Sequence, residues 1–93
     1  LASDNRKDLI AEIHRGFSIN VIDKLVHELA ISQQALLQTL SLSSATLTRR
    51  RTHKQKRLTP QESDRVYRVA VVYRAALELF EGDKQAARDW LKE

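Results

Sequence analysis

A helix start is written into Thr59-Pro60-Gln61-Glu62: Thr can cap, Pro sits at N1 where no N–H is missed, and Glu at N3 closes a capping box. The chain beyond it meets no breaker before Gly82, and from Val66 to Phe80 most positions are apolar. The spacing predicts one helix over 60–80 that is apolar nearly all round, and such a helix must be covered on more than one side. In a chain of 93 residues the neighbouring helices cover about two of its faces, so part of this surface is expected to meet a second copy, through Val69, Val72, Tyr73 and Ala76.

The remaining pattern is also helical. Leu9, Ile10 and Ile13 make a short stripe over 4–15, closed by Gly16 as C-cap. Ile22, Leu25, Val26 and Leu29 follow the i, i+3, i+4, i+7 spacing behind a Ser18 N-cap. Ser32 caps a third helix carrying Leu36, Leu37 and Leu40, Ser43 caps a fourth whose one bulky apolar residue is Leu47, and Asp83 caps a last one carrying Ala86, Ala87, Trp90 and Leu91. Two Gly and one Pro are too few for a turn-rich β protein, so the fold class is all-α, a single compact helical bundle. The absence of Cys excludes a disulfide scaffold and thiolate chemistry and fits a cytoplasmic protein. No apolar run reaches the roughly 18 residues of a membrane span. The chain opens on Leu, which predicts native residues before it.

Charge locates the function. Lys and Arg total 16 against 12 acids, and six of the cations fall within RRRTHKQKR, residues 49–57. From Leu29 to Gln61 there is no acid at all, whereas 1–28 holds five acids against four bases and 62–93 seven against six. Such a block is a solvated linker unless its flanks present it on one surface. The flanks here are two short helices about four residues apart, the spacing of a helix-turn-helix. With Leu47 as the inward anchor, Ala45, Thr46, Thr48 and Arg49 point outward, Arg50 and Arg51 lie on the flanks, and Ser44 stands at the helix start. Such a helix can enter a major groove, where Arg suits guanine edges and phosphates, while Lys54 and the basic residues after it lie along the sugar-phosphate backbone. About six neutralised phosphates imply a log-log salt slope on the order of minus five.

The runs ISQQALLQTLSLSSATLTRR, RLTPQESDRV and ALELFEGDKQAARDWL resemble the Xre/MbcA/ParS-like antitoxins, particularly the Xre partners of RES-domain toxins, from about Phe17 to Leu91. The most diagnostic pieces are Ser43 with Thr46-Leu47 and Arg49-Arg50, the Leu58 to Arg65 segment, and Ala87-x-x-Trp90-Leu91. The resemblance implies a helix-turn-helix region over 1–58 that represses its operon, and a region over 59–93 that dimerises and blocks an NAD-consuming toxin through Phe80, Arg88, Trp90 and Leu91. Two departures stand out. Ser44 and Ala45 are smaller than the side chains that often follow the recognition-helix cap, and the family's toxin-binding region usually continues beyond the Trp-Leu pair.

Each feature also has a plainer reading. A lone Trp on a terminal amphipathic helix often fills a core, Arg88 can be a solvated surface charge, and a basic block can be only a linker. Catalysis fits poorly. His14, His27 and His53 lie in separate helices without a carboxylate cluster, and the glycines are too far apart for a phosphate loop. No metal or cofactor is expected. The sequence therefore points to a non-enzymatic antitoxin with a RES-domain toxin, operator DNA and a second copy of itself as partners. An Xre-like regulator without a toxin, or a helical interaction module that binds no DNA, is the alternative.

Overall fold

Four of the capping signals close as written. Ser32 Oγ accepts from the Ala35 N–H at 3.1 Å, Ser43 Oγ from Thr46 at 3.1 Å, and Asp83 Oδ1 from Ala86 at 3.1 Å. Thr59 Oγ1 accepts from Glu62 N at 3.1 Å while Glu62 Oε1 accepts from Thr59 N at 2.9 Å, the reciprocal box. In the computed structural model the described residues are 2–52 and 56–92, with side chains described from residue 8 onward. They form an all-α bundle of six helices: α1 (Ala2–Arg15), α2 (Asn20–Leu29), α3 (Gln33–Thr39), α4 (Ser44–Arg51), α5 (Pro60–Leu79) and α6 (Lys84–Lys92).

The start of α2 departs from the expected cap. Ile19 occupies the N-cap position and makes no side-chain cap bond, while Ser18 Oγ accepts from Asn20 N at 3.3 Å. Tertiary pairing is the reason. Ile19 is buried and its N–H donates to Lys56 O at 2.9 Å, and the Leu58 N–H donates to Phe17 O at 2.9 Å. The α1–α2 connector and the segment entering α5 thus run antiparallel as an isolated bridge, Ser18 to Arg57. Gly16 makes this approach possible: its φ is +93°, and a Cβ there would sit 2.1 Å from Leu58 O. Arg57 Nη1 donates to Gly16 O at 2.8 Å, so this cation of the basic block is bound to the fold instead of lying outside it.

The core runs along α5. Val66, Tyr73 and Ala76 are buried against Ile22, Leu25 and Leu29 of α2, Leu36, Leu37 and Leu40 of α3, Leu47 of α4 and Ala87 of α6. Tyr73 and Ala76 therefore cannot offer a dimer surface as the sequence suggested: they are 6% and 2% exposed within one chain. Their companions are different, since Val72 is 48% exposed and Val69 half-buried. α5 is covered on part of its circumference only, and Val71, Val72 and Leu79 remain in solvent. Arginines finish two other helices: Arg65 Nη1 donates to Leu40 O at 3.2 Å at the end of α3, and Arg88 Nε to Glu28 O at 2.8 Å in the last turn of α2. Carbonyls otherwise left over at helix ends are satisfied this way.

Candidate nucleic-acid interface

The turn between α3 and α4 is built from Leu40-Ser41-Leu42-Ser43. Ser41 takes a left-handed φ of +55°, the Leu42 N–H reaches back to Leu37 O at 2.9 Å, and Leu40 and Leu42 are buried beneath it. α4 then starts on Ser43 and leans inward through Leu47, 1% exposed. At about 100° per residue, Ala45 and Arg49 fall on the side opposite Leu47, with Thr48 and Thr52 beside them. All four are exposed.

The arginines of α4 divide into two kinds. Arg50 is ion-paired with Glu62, the acid that also closes the α5 capping box. Arg51 Nη2 lies 3.1 Å from Asp23 Oδ1 on α2. Among the described residues Arg49 makes no ion pair and no side-chain hydrogen bond, and its backbone carbonyl accepts from Thr52 Oγ1 at 2.8 Å. Arg50 and Arg51 thus hold α4 to its neighbours, and Arg49 projects from it. Thr46 also differs from its outward assignment: it is half-buried and its hydroxyl accepts from Ser43 Oγ at 2.8 Å. Ser44 and Thr48 are exposed, and Lys54 lies outside the described residues. A feature missed in the sequence is a crevice of about 380 Å³ between α3 and the start of α4, floored by Leu37 and Leu42 and lined by Gln33, Gln34 and Gln38 with Ser43 and Ser44. The Gln-Gln pair after Ser32 was its only signal.

A second surface gathers residues that the sequence assigned to two different tasks. Val69 and Val72 of α5 and Arg88 and Leu91 of α6 line one groove of about 430 Å³, completed by Leu29, Ile31 and Leu36. Its charged residues are Arg68, Arg88 and Lys92, all cationic. Arg88 is not a freely solvated charge, because its Nε is held by Glu28 O. Trp90 is 47% exposed and lies outside the groove, which removes the core-filling alternative for it, whereas Phe80 is half-buried against the core. Beside this surface Glu28 accepts from the Tyr73 hydroxyl at 3.1 Å and pairs with Lys84 at 3.3 Å. The Tyr73 bond first, then Lys84, holds the carboxyl below its ordinary value, and burial followed by the Glu28 contact pushes the Tyr73 phenol up.

Among the described residues no group of three or more His, Asp or Glu could hold a metal ion, and no helix is long and apolar enough to cross a membrane.

Two short helices at this spacing, the second anchored by one leucine and presenting an exposed arginine, define a helix-turn-helix domain. The chain belongs to the antitoxin Xre-like helix-turn-helix family, whose model matches residues 8–71. It is 42% identical over 83 residues to an antitoxin Xre of Yersinia enterocolitica, covering 89% of this chain and 55% of that protein. A second antitoxin Xre, from Photorhabdus laumondii, is 29% identical over 90 residues, covering 97% of this chain and 60% of that protein. The chain thus spans a little over half the length of these curated relatives. No solved structure matches.

Proposed function

We propose that this protein is the antitoxin of a toxin-antitoxin pair, neutralising a RES-type, NAD-consuming toxin by direct binding and repressing its own operon by placing α4 in the major groove. Family membership supports the antitoxin role, and the observation that carries the DNA half is the exposed face of Ala45, Thr48 and Arg49 opposite the buried Leu47. Ser44 is exposed at the start of α4 and lines the crevice shared with Gln33, Gln34 and Gln38. For the toxin, the cation-rimmed groove of Val69, Val72, Arg88 and Leu91, together with the exposed indole of Trp90, offers the apolar area and aromatic anchor that binding surfaces concentrate. A second copy of the chain is the other partner for the exposed valines of α5.

Co-expression with a RES-domain toxin from the same operon tests the first half, and a gel shift on the DNA upstream of that operon tests the second. Rescue of growth together with retardation that weakens steeply with salt is expected. Retardation without rescue leaves a regulator with no toxin partner, and rescue without retardation removes the DNA role.

A further inference from the structure

On the reading that α4 enters the major groove, we infer that it selects sequence through one cation, Arg49, set against a methyl-bearing surface, and that Arg50 and Arg51 are positioning residues. Three observations lead there. First, three side chains of α4 already have partners within the chain: Thr46 with Ser43, Arg50 with Glu62 in a part-buried ion pair, and Arg51 with Asp23 in an exposed one. Second, Arg49 is exposed on the side of α4 that faces away from the core. Third, its neighbours on that side are Ala45 and Thr48, which present methyl groups and one hydroxyl.

The chemistry of the target follows. A guanidinium in the major groove matches the O6 and N7 acceptors of guanine, and apolar methyls match the C5-methyl of thymine. Bidentate recognition of adenine takes Asn or Gln, and α4, Ser44–Arg51, contains neither. Each half-site therefore carries one G·C pair read by Arg49, next to an A·T pair whose thymine methyl meets Ala45 or Thr48. Arg50 and Arg51 fix the angle at which α4 is offered, through α5 and α2 respectively, and do not choose the base.

Substituted duplexes of the upstream DNA test this, with guanines replaced one at a time by 7-deazaguanine, which lacks the N7 acceptor. With the wild-type chain, one guanine per half-site is expected to show a penalty on the order of tenfold in affinity. In Arg49→Ala that penalty disappears although residual binding persists. In Arg51→Gln the penalty remains while affinity for all sequences drops. Arg50→Gln behaves like Arg51→Gln, with helix content by circular dichroism showing that both variants fold. A penalty that survives Arg49→Ala, one lost in Arg51→Gln, or no penalty at any guanine would overturn the assignment. Failure of the wild-type chain to retain any duplex at low salt would instead overturn the DNA-binding reading on which it rests.

Discussion

Gly16 and Arg50 show how much a single side chain decides here. With φ at +93° and Leu58 O 2.1 Å from where a Cβ would sit, Gly16→Ala must both strain the backbone and push apart the two connectors that hold α2 and α5 together. A loss of about 2–4 kcal/mol is expected, lowering the melting temperature by roughly 10 °C or more. A thermal melt unchanged within a degree would mean the connectors yield freely. Arg50→Ala removes the cation from a Glu62 carboxylate whose side chain is 13% exposed, and costs about 1–3 kcal/mol. Glu62→Gln keeps the Thr59 cap acceptor and should cost less, which thermal melts of the two variants compare directly. Because Arg50 is held in this way, an Arg49→Ala, Arg50→Ala double variant would mix folding with recognition, so the two residues have to be changed separately.

At the scale of elements, α5 is the spine of the bundle and also its least finished surface. Val72→Glu places a carboxylate on a half-exposed groove wall, so the fold should survive with little change in Tm while toxin neutralisation fails. Growth of toxin-expressing cells equal to wild type would exclude the groove as the contact. Trp90→Ala, also exposed, should weaken neutralisation by about 1–3 kcal/mol, read as the dissociation constant of the toxin complex, and leave DNA retardation unchanged. Helices and their caps were legible in the sequence because a cap is local: Ser32, Ser43, Thr59 and Asp83 each act on a backbone N–H three residues on. The α2 N-cap falls at Ile19, one residue beyond Ser18, because the Ile19 N–H is taken by Lys56 O, far along the chain. The flank positions of Arg50 and Arg51 followed from the helical period, yet their acids, Glu62 and Asp23, lie 12 and 28 residues away, and no local pattern reveals them. The inward side of α5, with Tyr73 and Ala76, is hidden from the sequence for the same reason: which side of a nearly uniformly apolar helix is buried is set by its neighbours.

In the molecule as a whole, charge is arranged by region. Cations concentrate from α4 into the segment leading to α5, and acids occupy the ends. The same arrangement ties stability to pH through Glu28 and Tyr73. Since the Glu28 carboxyl lies below its ordinary value in the fold, its stabilisation is complete above the unfolded-state value and is lost as pH falls through the folded one. For Tyr73, raised in the fold, the stabilisation is present below the ordinary phenol value and is lost as pH climbs through the higher folded one. Glu28→Gln should therefore flatten the acid side of a stability-pH curve measured by urea melts, and Tyr73→Phe the alkaline side. Curves superimposable on wild type would mean that neither group differs between folded and unfolded chains.

The helix-turn-helix reading depends on α4 meeting DNA with the face opposite Leu47. An NMR titration of the labelled chain with a duplex from upstream of its operon measures that directly. The amide signals of Ala45, Thr48 and Arg49 are expected to move most, with those of Val72 and Leu91 still. Shifts confined to the α5–α6 groove, with α4 unmoved at saturating duplex, would contradict it.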